Sequence, residues 1–448
     1  MKKTLHIITI LFITVLIFNY PNIKVEAETP DISISNKKDV SGAFVVTSDP
    51  QYPWTDKTDN GQTESESEKK RRSEEFIREQ YNSINEYTSQ LTGITETTPV
   101  LINGDLTAFG HPWQWDKMKS LLGILNSPIF PGLGNHDIEN NLDDCFLNEC
   151  ARQSMNFYLD HVSRLDTTRF DRKQATPSGT SITNYFGSFA YSMDVGPIHF
   201  IQLNNDPTQF FSISTNMGIE KYTMENALSW LKLDLEDAKK YGQAIVINMH
   251  KPDSWKYGDE EQRTKFKKLL KDYNVKAVFA GHYHKNSGYF PVNYKEFFGD
   301  VPVFLSGSAS QKTYLTVEYN NNEMKVYKIS NNNWKNKVLV KTIDISGRNF
   351  PSYKETPELY EHSNGLGRNL MGLPFSEWND KISSVRVPPH KVVTLYEHTY
   401  YKGRKKTLRN NGNLPKLYNL YDFNDITSSY EIHIGIIEAG VTVSESGN

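Results

Sequence analysis

Cysteine is scarce in this 448-residue chain, which has only Cys145 and Cys150, five positions apart. Two cysteines with no histidine close by in the sequence make a poor zinc site. In a secreted chain a disulfide between them is plausible, and so short a bridge would mainly stiffen a local loop.

An excess of charge of one sign is also missing, since 50 lysines and arginines face 53 aspartates and glutamates and the formal net charge is −3. The sequence therefore gives no general argument for binding nucleic acid.

Long hydrophobic runs are rare. The run from Leu5 to Phe18 follows two lysines and precedes Val25-Glu26-Ala27, a pattern typical of a secretory signal peptide cleaved near Ala27. A membrane anchor is the alternative, but the run is shorter than the roughly 20 residues that span a bilayer. No later stretch approaches a span, so we expect a soluble, secreted protein.

The length predicts two or three folding units. Gly, Pro and polar residues between Arg348 and Pro357 suggest a linker. We therefore predict a signal peptide (1–27), a catalytic domain (28–350) and an accessory domain (351–448), with short hairpin strands after Val301 closing the catalytic domain.

Several short apolar runs each end near a polar residue that could bind metal or phosphate, which predicts buried strands with ligands at their ends. An apolar stripe with helical spacing between the first two runs predicts a strand–helix–strand crossover, and parallel sheets of this kind collect ligands beyond the carboxyl ends of their strands. The polar residues that follow the runs are Asp49, Asp105, Asn135, His136, Asn204, His250 and His282.

These residues include enough oxygen and nitrogen donors to hold two divalent cations close together. The proposed set is Asp49, Asp105, Asn135, His250, His282 and His284. Each is uninformative alone, because a single Asp after a strand is commonly a turn residue. Their shared position after predicted strands is what favours a metal site.

In chain order, the motifs Asp49-Pro50-Gln51, Gly104-Asp105, Gly134-Asn135-His136-Asp137, His250 and Gly281-His282-Tyr283-His284 resemble those of calcineurin-like metallophosphoesterases over about residues 41–312. The resemblance implies an α/β fold, an α+β sandwich of two mixed β-sheets flanked by helices. It also implies that Asp49 and His284 hold one metal, that Asn135, His250 and His282 hold the other, and that Asp105 bridges them.

Gln51 departs from the family pattern, which usually has His there. Because an amide oxygen is a hard, neutral donor, we expect this site to favour manganese, magnesium or iron(II) over zinc, with manganese first. The related purple acid phosphatases carry a tyrosine ligand three residues after the bridging Asp, where this chain has Ala108. We therefore expect no tyrosinate–iron(III) centre.

The expected mechanism is attack on phosphorus by a hydroxide that bridges the two metals. His136 is the candidate general acid, and Asp137 could raise its pKa and orient its ring, although a turn or capping role for Asp137 is the alternative. His111 and Asn204 are candidate substrate contacts. Tyr52, Trp54, Trp113 and Trp115 could rim the cleft, which would suit an apolar or base-bearing substrate or a membrane lipid, or could simply pack the loops.

Near the C-terminus, Tyr360-Glu361-His362-Ser363 recurs 36 positions later as Tyr396-Glu397-His398-Thr399, which indicates an internal duplication. An acidic, hydroxyl-rich loop follows each copy. Together they resemble the two Greek-key motifs of microbial βγ-crystallins, which implies an all-β domain that binds calcium. The implied ligands are Asn379, Asp380, Lys381, Ser383, Asn424, Asp425, Ile426 and Ser428, with Lys381 and Ile426 acting through backbone carbonyls. A simple turn is the alternative for each loop.

The sequence thus predicts a secreted metal-dependent phosphoesterase acting on phosphate mono- or diesters, with contact to a cell surface or membrane lipid as a further possibility. The alternative is a secreted adhesion protein that is catalytically weak because of Gln51 and binds through the crystallin-like domain.

Overall fold

The computed structural model describes residues 41–91, 98–143, 145–348, 356–371, 373–411 and 415–434. The predicted signal peptide and the predicted domain boundary near residue 350 lie outside these ranges. Within them no helix is both long enough and apolar enough to cross a membrane.

The described residues form strands that we number in chain order. They are β1 (Gly42–Thr47), β2 (Val100–Ile102), β3 (Ile129–Pro131), β4 (Arg169–Phe170), β5 (Lys173–Ala175), β6 (Thr183–Gly187), β7 (Tyr191–Val195), β8 (Ile198–Gln202), β9 (Phe211–Thr215), β10 (Glu220–Met224), β11 (Ala244–Asn248), β12 (Ala277–Ala280), β13 (Ser287–Tyr289), β14 (Val303–Ser306), β15 (Tyr314–Tyr319), β16 (Glu323–Ile329), β17 (Val338–Asp344), β18 (Glu358–His362), β19 (Leu366–Asn369), β20 (Ser384–Val387), β21 (Lys391–His398), β22 (Lys402–Asn410), β23 (Lys416–Asn419) and β24 (Ser429–Ile434).

The α-helices are numbered in the same way. They are α1 (Asp56–Asp59), α2 (Glu66–Ser89), α3 (Pro112–Leu122), α4 (Glu149–Ser163), α5 (Leu228–Lys240), α6 (Glu260–Asp272), α7 (Lys295–Phe298) and α8 (Phe375–Trp378).

Two mixed sheets form the centre of the molecule, in the orders β17-β16-β15-β1-β2-β3 and β13-β14-β12-β11-β8-β7-β4. Their facing side chains share one core. Because successive strand residues point to opposite faces, Phe44 and Val46 of β1 lie in that core, while Val45 belongs to the cluster under α2 and α3. The predicted α/β sandwich of two mixed sheets is confirmed.

Helices cover the outer face of each sheet. The predicted stripe of α2, which includes Ile77, Tyr81 and Ile84, packs with β2 and α3 outside the first sheet. Apolar residues of α5 and α6 pack outside the second sheet with Ile245 and Val278. The central strands are therefore buried on both faces, which explains why they read as short continuous apolar runs.

Parallel pairing brings the ends of the central strands together. β1, β2 and β3 run parallel in the first sheet, and β8, β11, β12 and β14 run parallel in the second. The loops after these strands consequently gather at one edge of the sandwich, which is where open α/β sheets place their ligands. A separate four-stranded sheet, in the order β5-β6-β10-β9, is not part of the two central sheets. It is not predicted from the sequence.

Apart from the one-turn helix α8, the regular structure of the C-terminal part is mainly β, as predicted. It forms two sheets, β19-β18-β20-β23 and β22-β21-β24, around a separate apolar cluster. β23 comes from the second half of the sequence repeat but pairs with β20 of the first. Arg386 of β20 is buried and bonds the half-buried Asp237 of α5 at 2.5 Å, so an ion pair connects this part to the sandwich.

Candidate metal centre

Two strand-end loops carry the aspartates Asp49 and Asp105 in an unusual backbone conformation. Their φ angles are 51° and 50°, in the left-handed region, and Gln51 follows at 41°. Such angles cost free energy in residues with a β-carbon, and they collect at functional sites. Gly104, at φ 82°, precedes Asp105 where an added Cβ would lie 2.7 Å from the Gly134 nitrogen. The loops after β2 and β3 therefore touch only because this residue is glycine.

His250 follows β11 and is fully buried. Its Nδ1 lies 2.8 Å from the Asn103 carbonyl oxygen, so Nδ1 must carry a proton and donate. In the neutral ring Nε2 is then an electron-pair donor. Nε2 faces Asn135 Oδ1 at 3.0 Å and Asp105 Oδ2 at 3.1 Å. Three electron-pair donors that converge in this way are what a cation requires.

Two groups of ligand atoms meet at Asp105. One consists of Asp105, His250 and His282, and the other of Asp49, Asp105 and His284, with the ligand atoms of each group within 4.8 Å of one another. Asp105 is the member that both groups contain. This arrangement fits a pair of cations with Asp105 between them.

The charges around the His250 and His282 rings explain why their pKa values differ. Burial lowers the pKa of His250, but the Asp105 and Asp49 carboxylates outweigh burial and raise it to about 9. Burial and the neighbouring His250 lower the pKa of His282 to about 4. The carboxylates therefore attract positive charge to a buried position, and the two rings do not both become cationic at neutral pH.

His284 is held by an aspartate that sequence reasoning missed. Its Nδ1 lies 2.6 Å from Asp59 Oδ1, and its Nε2 lies 3.2 Å from Asp49 Oδ1. Burial lowers the pKa of His284, but Asp49 and Asp59 raise it to about 10. A carboxylate behind a histidine is the usual partner of a metal-bound imidazole, because it fixes the tautomer and orients the ring.

Gln51 is fully buried, and neither its Oε1 nor its Nε2 has a hydrogen-bond partner among the described residues. A buried amide without partners is costly and needs a reason. A cation bound beside Asp49 would supply one for the amide oxygen. The convergent donors around His250 and the unpaired Gln51 together fit a divalent metal pair.

His136 lies beside this group of ligands, half-buried. Its Nδ1 is 2.8 Å from the Ala108 carbonyl oxygen, and its backbone N–H donates to Asp105 Oδ1 at 2.8 Å. Hydrogen bonding through Nδ1 holds the ring and leaves Nε2 to face other groups. Trp54 packs edge-on against the ring at 5.3 Å between centroids.

Asp137 does not contact the His136 ring in the way that was predicted. Its carboxylate accepts backbone N–H groups from Leu106, Thr107 and Gly134 at 3.0–3.1 Å. Burial and the Asp105 charge raise its pKa, and these donors oppose the rise. These contacts favour the alternative structural role, since they join the loops after β2 and β3.

The two predicted substrate contacts differ in their surroundings. Asn204 is buried, with its Oδ1 accepting from the Leu133 N–H and its Nδ2 donating to the Phe189 carbonyl. Its amide is thus bonded to the backbone at both ends, which favours a scaffold role over the predicted substrate contact. His111 caps α3 near the rim, and its Nδ1 lies 3.3 Å from the Cys150 sulfur. Cys145 and Cys150 are joined in a disulfide.

Only some of the aromatic residues predicted to rim the cleft are exposed. Trp113 is 42% exposed, but Trp115 is fully buried, stacks on Phe157 and donates to Ser154 Oγ. Tyr52 is also buried. The loop-packing alternative is therefore correct for these two residues, because Trp115 lies on the inward face of α3.

The two C-terminal loops cross-link through side chains. Ser383 Oγ is 3.0 Å from Asp425 Oδ1, and Ser428 Oγ is 3.3 Å from Asp380 Oδ1. Asn379 and Asn424 each donate to the following aspartate at 2.8 Å. Lys381 and Ile426 lie between these paired residues. The loops thus bring carboxylate, hydroxyl and amide oxygens of both repeats close together, which is the donor chemistry that calcium prefers.

The sandwich and its site define a metal-binding α/β protein whose ligands stand on strand-end loops. The calcineurin-like phosphoesterase family model matches residues 43–286, more than half of the chain, and the chain belongs to this family. Membership implies a binuclear divalent metal centre.

Individual relatives are distant. Purple acid phosphatase 21 of Arabidopsis thaliana is 28% identical over 216 residues, which cover 46% of this chain and 42% of that protein. The chain spans less than half the length of the curated relatives it matches.

Two solved structures are similar to parts of the chain. The purple acid phosphatase from yellow lupin (Lupinus luteus) seeds has a TM-score of 0.42 and 11% identity, covering 68% of this chain and 53% of that one. A variant βγ-crystallin domain from Clostridium beijerinckii has a TM-score of 0.14 and 28% identity, covering 17% of this chain and 95% of that domain.

Proposed function

We propose that the protein is a secreted, metal-dependent phosphoesterase that hydrolyses phosphate mono- or diesters. The observation that supports this most strongly is the pair of overlapping ligand groups that share Asp105. When bound there, two divalent cations supply Lewis acidity and lower the pKa of water, which is the chemistry that phosphoester hydrolysis needs.

The ligands divide between two positions. Asp49, Gln51 and His284 would hold one cation, Asn135, His250 and His282 the other, and Asp105 both. The amide oxygens of Gln51 and Asn135 are hard donors, so manganese is the metal we expect to support turnover best. Three residues after Asp105 stands Ala108, which is fully buried, and this supports a centre without a tyrosinate ligand.

The proposed proton donor is His136. Because the Ala108 carbonyl accepts from Nδ1, a protonated ring has its second N–H, at Nε2, available for the leaving oxygen. The Asp105 carboxylate accepts the backbone N–H of the same residue. This link fixes the distance between the proton donor and the ligands.

Assays with bis-p-nitrophenyl phosphate and p-nitrophenyl phosphate in manganese test the proposal. We expect turnover of at least one of them, and a loss of at least about 100-fold in Asp105→Ala, since removing one preorganised charge from a catalytic site costs this much. Asp116→Ala, at an exposed position on α3, is the control and should keep activity. A metal-loaded protein that turns over neither substrate would favour the adhesion alternative.

We also propose that the two C-terminal loops bind calcium. Support comes from the cross-links between Ser383 and Asp425 and between Ser428 and Asp380, which place acidic oxygens of both loops where ions could be shared. Asp380 and Asp425 both adopt φ 53°, so the two aspartates share a left-handed backbone conformation.

A further inference from the structure

Two of the most exposed large apolar side chains stand on neighbouring turns. Phe146 is 87% exposed and Met217 is 80% exposed. They lie on the short 3₁₀ turns Phe146–Asn148 and Asn216–Gly218, which are in contact with each other. Leu147 and Ile219 on the same segments are 43% and 45% exposed. Apolar side chains are thus concentrated at one place on the surface.

The backbone of these turns is strained. Leu147 has φ 54° and Met217 has φ 56°, the left-handed region that costs a residue with a side chain roughly 1 kcal/mol. Glycine or asparagine would be less strained there, and a polar side chain would be better solvated. An exposed apolar side chain on a left-handed backbone therefore adds little to the stability of the isolated chain.

These turns are joined to the mouth of the metal centre. Phe146 directly follows Cys145, whose disulfide partner Cys150 lies 3.3 Å from His111 Nδ1. His111 stacks on Trp113 and packs near Phe109, and Phe109 packs against His136. Phe109 is 39% exposed. We call this surface the apolar rim: Phe109, Trp113, Phe146, Leu147, Met217 and Ile219.

Lys70 stands beside Trp113 of the apolar rim, and the preceding Lys69 stands beside Trp54. Lys70 Nζ lies 4.1 Å from the centroid of the Trp113 ring, and Lys69 Nζ lies 5.5 Å from that of Trp54. The adjacent Arg71 and Arg72 are paired with carboxylates. In the described parts of the chain no carboxylate pairs with either lysine, so both keep a cationic group for an outside partner.

We propose that the apolar rim docks the protein onto a lipid surface that carries anionic headgroups. The tips at Phe146 and Met217 would enter the boundary between headgroups and acyl chains, Trp113 would lie at headgroup level, and Lys69 and Lys70 would face the anionic groups. Side chains that protrude from turns, as Phe146 and Met217 do, suit a fluid surface better than a flat protein interface, which needs a continuous complementary area. Docking of this kind would bring the metal centre close to the lipid surface, and it does not depend on turnover.

Sedimentation with vesicles tests this inference. We expect the full chain to sediment with vesicles of phosphatidylcholine and phosphatidylglycerol, and less with phosphatidylcholine alone. The double variant Phe146→Asp/Met217→Asp should bind at least about tenfold more weakly, because binding scales with the apolar area that is buried. Val292→Asp is the matched control, since Val292 is 70% exposed and belongs to neither turn. An unchanged melting temperature shows that each variant is folded.

Three results would overturn the inference. The first is no vesicle binding by the unmodified chain. The second is an equal loss of binding in the double variant and in Val292→Asp. The third is a dimer in analytical ultracentrifugation that the double variant abolishes while vesicles bind neither protein, which would make the apolar rim a contact between copies. Vesicle binding is measured without added metal, so a failure of the proposed catalysis would leave this result intact.

Discussion

At the residue scale, Asp59 is a carboxylate whose two oxygens are shared among four donors. Oδ1 accepts from His284 Nδ1 at 2.6 Å and from Trp54 Nε1 at 2.7 Å. Oδ2 accepts from Ser310 Oγ at 2.6 Å and from Gln311 Nε2 at 2.7 Å. Burial raises the pKa of Asp59, but His284, Ser310 and Gln311 together lower it to about 2. Asp59 is therefore ionised and fixed, and it holds one ligand of the proposed centre in place.

Asp59→Asn should weaken the metal position that contains His284. An amide has one acceptor oxygen, so its NH₂ group would face donors and the His284 ring would lose its anchor. Loss of such an outer partner typically lowers metal affinity 10–100-fold. Isothermal titration with manganese should show a lower affinity at one metal position and an unchanged affinity at the other.

Asp56→Asn is the matched control for this substitution. Asp56 lies on the same short helix α1 but bonds Arg72, away from the ligands, so manganese affinity should not change. If Asp59→Asn binds manganese at both positions as tightly as the unmodified chain does, the contact with His284 is only structural.

The ligands could be predicted from sequence because each follows an apolar run that the sheet must bury. Asp59 could not, since it meets His284 across 225 positions and belongs to no strand-end motif. The buried position of Trp115 is readable from the sequence. Trp115, Met118 and Leu122 recur at steps of three and four, which is the inward face of a helix, and all three are buried.

At the scale of elements, the two C-terminal loops behave as a pair. Asp380 N–H bonds the Thr427 carbonyl and Asp425 N–H bonds the Ile382 carbonyl, so each loop's aspartate is held by the backbone of the other loop. An ion bound to one loop would consequently stabilise both.

Calcium should raise the melting temperature of the full chain, because a ligand that binds only the folded state stabilises it. Differential scanning calorimetry with and without calcium measures the shift. We expect Asp425→Ala to abolish most of it. Asp422→Ala, an exposed neighbour paired with Lys406, should leave it unchanged. A full shift in Asp425→Ala would rule out the loops as ion sites.

Some strands and helices could be predicted from the sequence more easily than others. The central strands were evident because burial on both faces makes them uniformly apolar. Helix α4 was missed although Ala151, Met155, Tyr158 and Val162 form a clear stripe. The small sheet gave no comparable signal, since β5 is exposed throughout and β6 is mostly half-buried, so no apolar pattern marks either strand.

At the scale of the whole molecule, the C-terminal part is joined to the sandwich through charge. Arg386 contacts Asp237 of α5 and Glu358 of β18, and its guanidinium lies 5.1 Å from the centroid of the Tyr241 ring. Arg169 of the sandwich also pairs with Asp237. A buried charge without its partner is strongly unfavourable, so this contact resists separation of the two parts. The sequence could not reveal it, because the partners are 149 positions apart.

The proposed activity requires two cations held by one set of side chains, and elemental analysis of the purified chain after dialysis against manganese counts them. Two manganese ions per chain are expected, with at most one in Asp105→Ala, because both ligand groups contain Asp105. Two ions retained by Asp105→Ala, or none bound by the unmodified chain, would contradict the proposed metal centre.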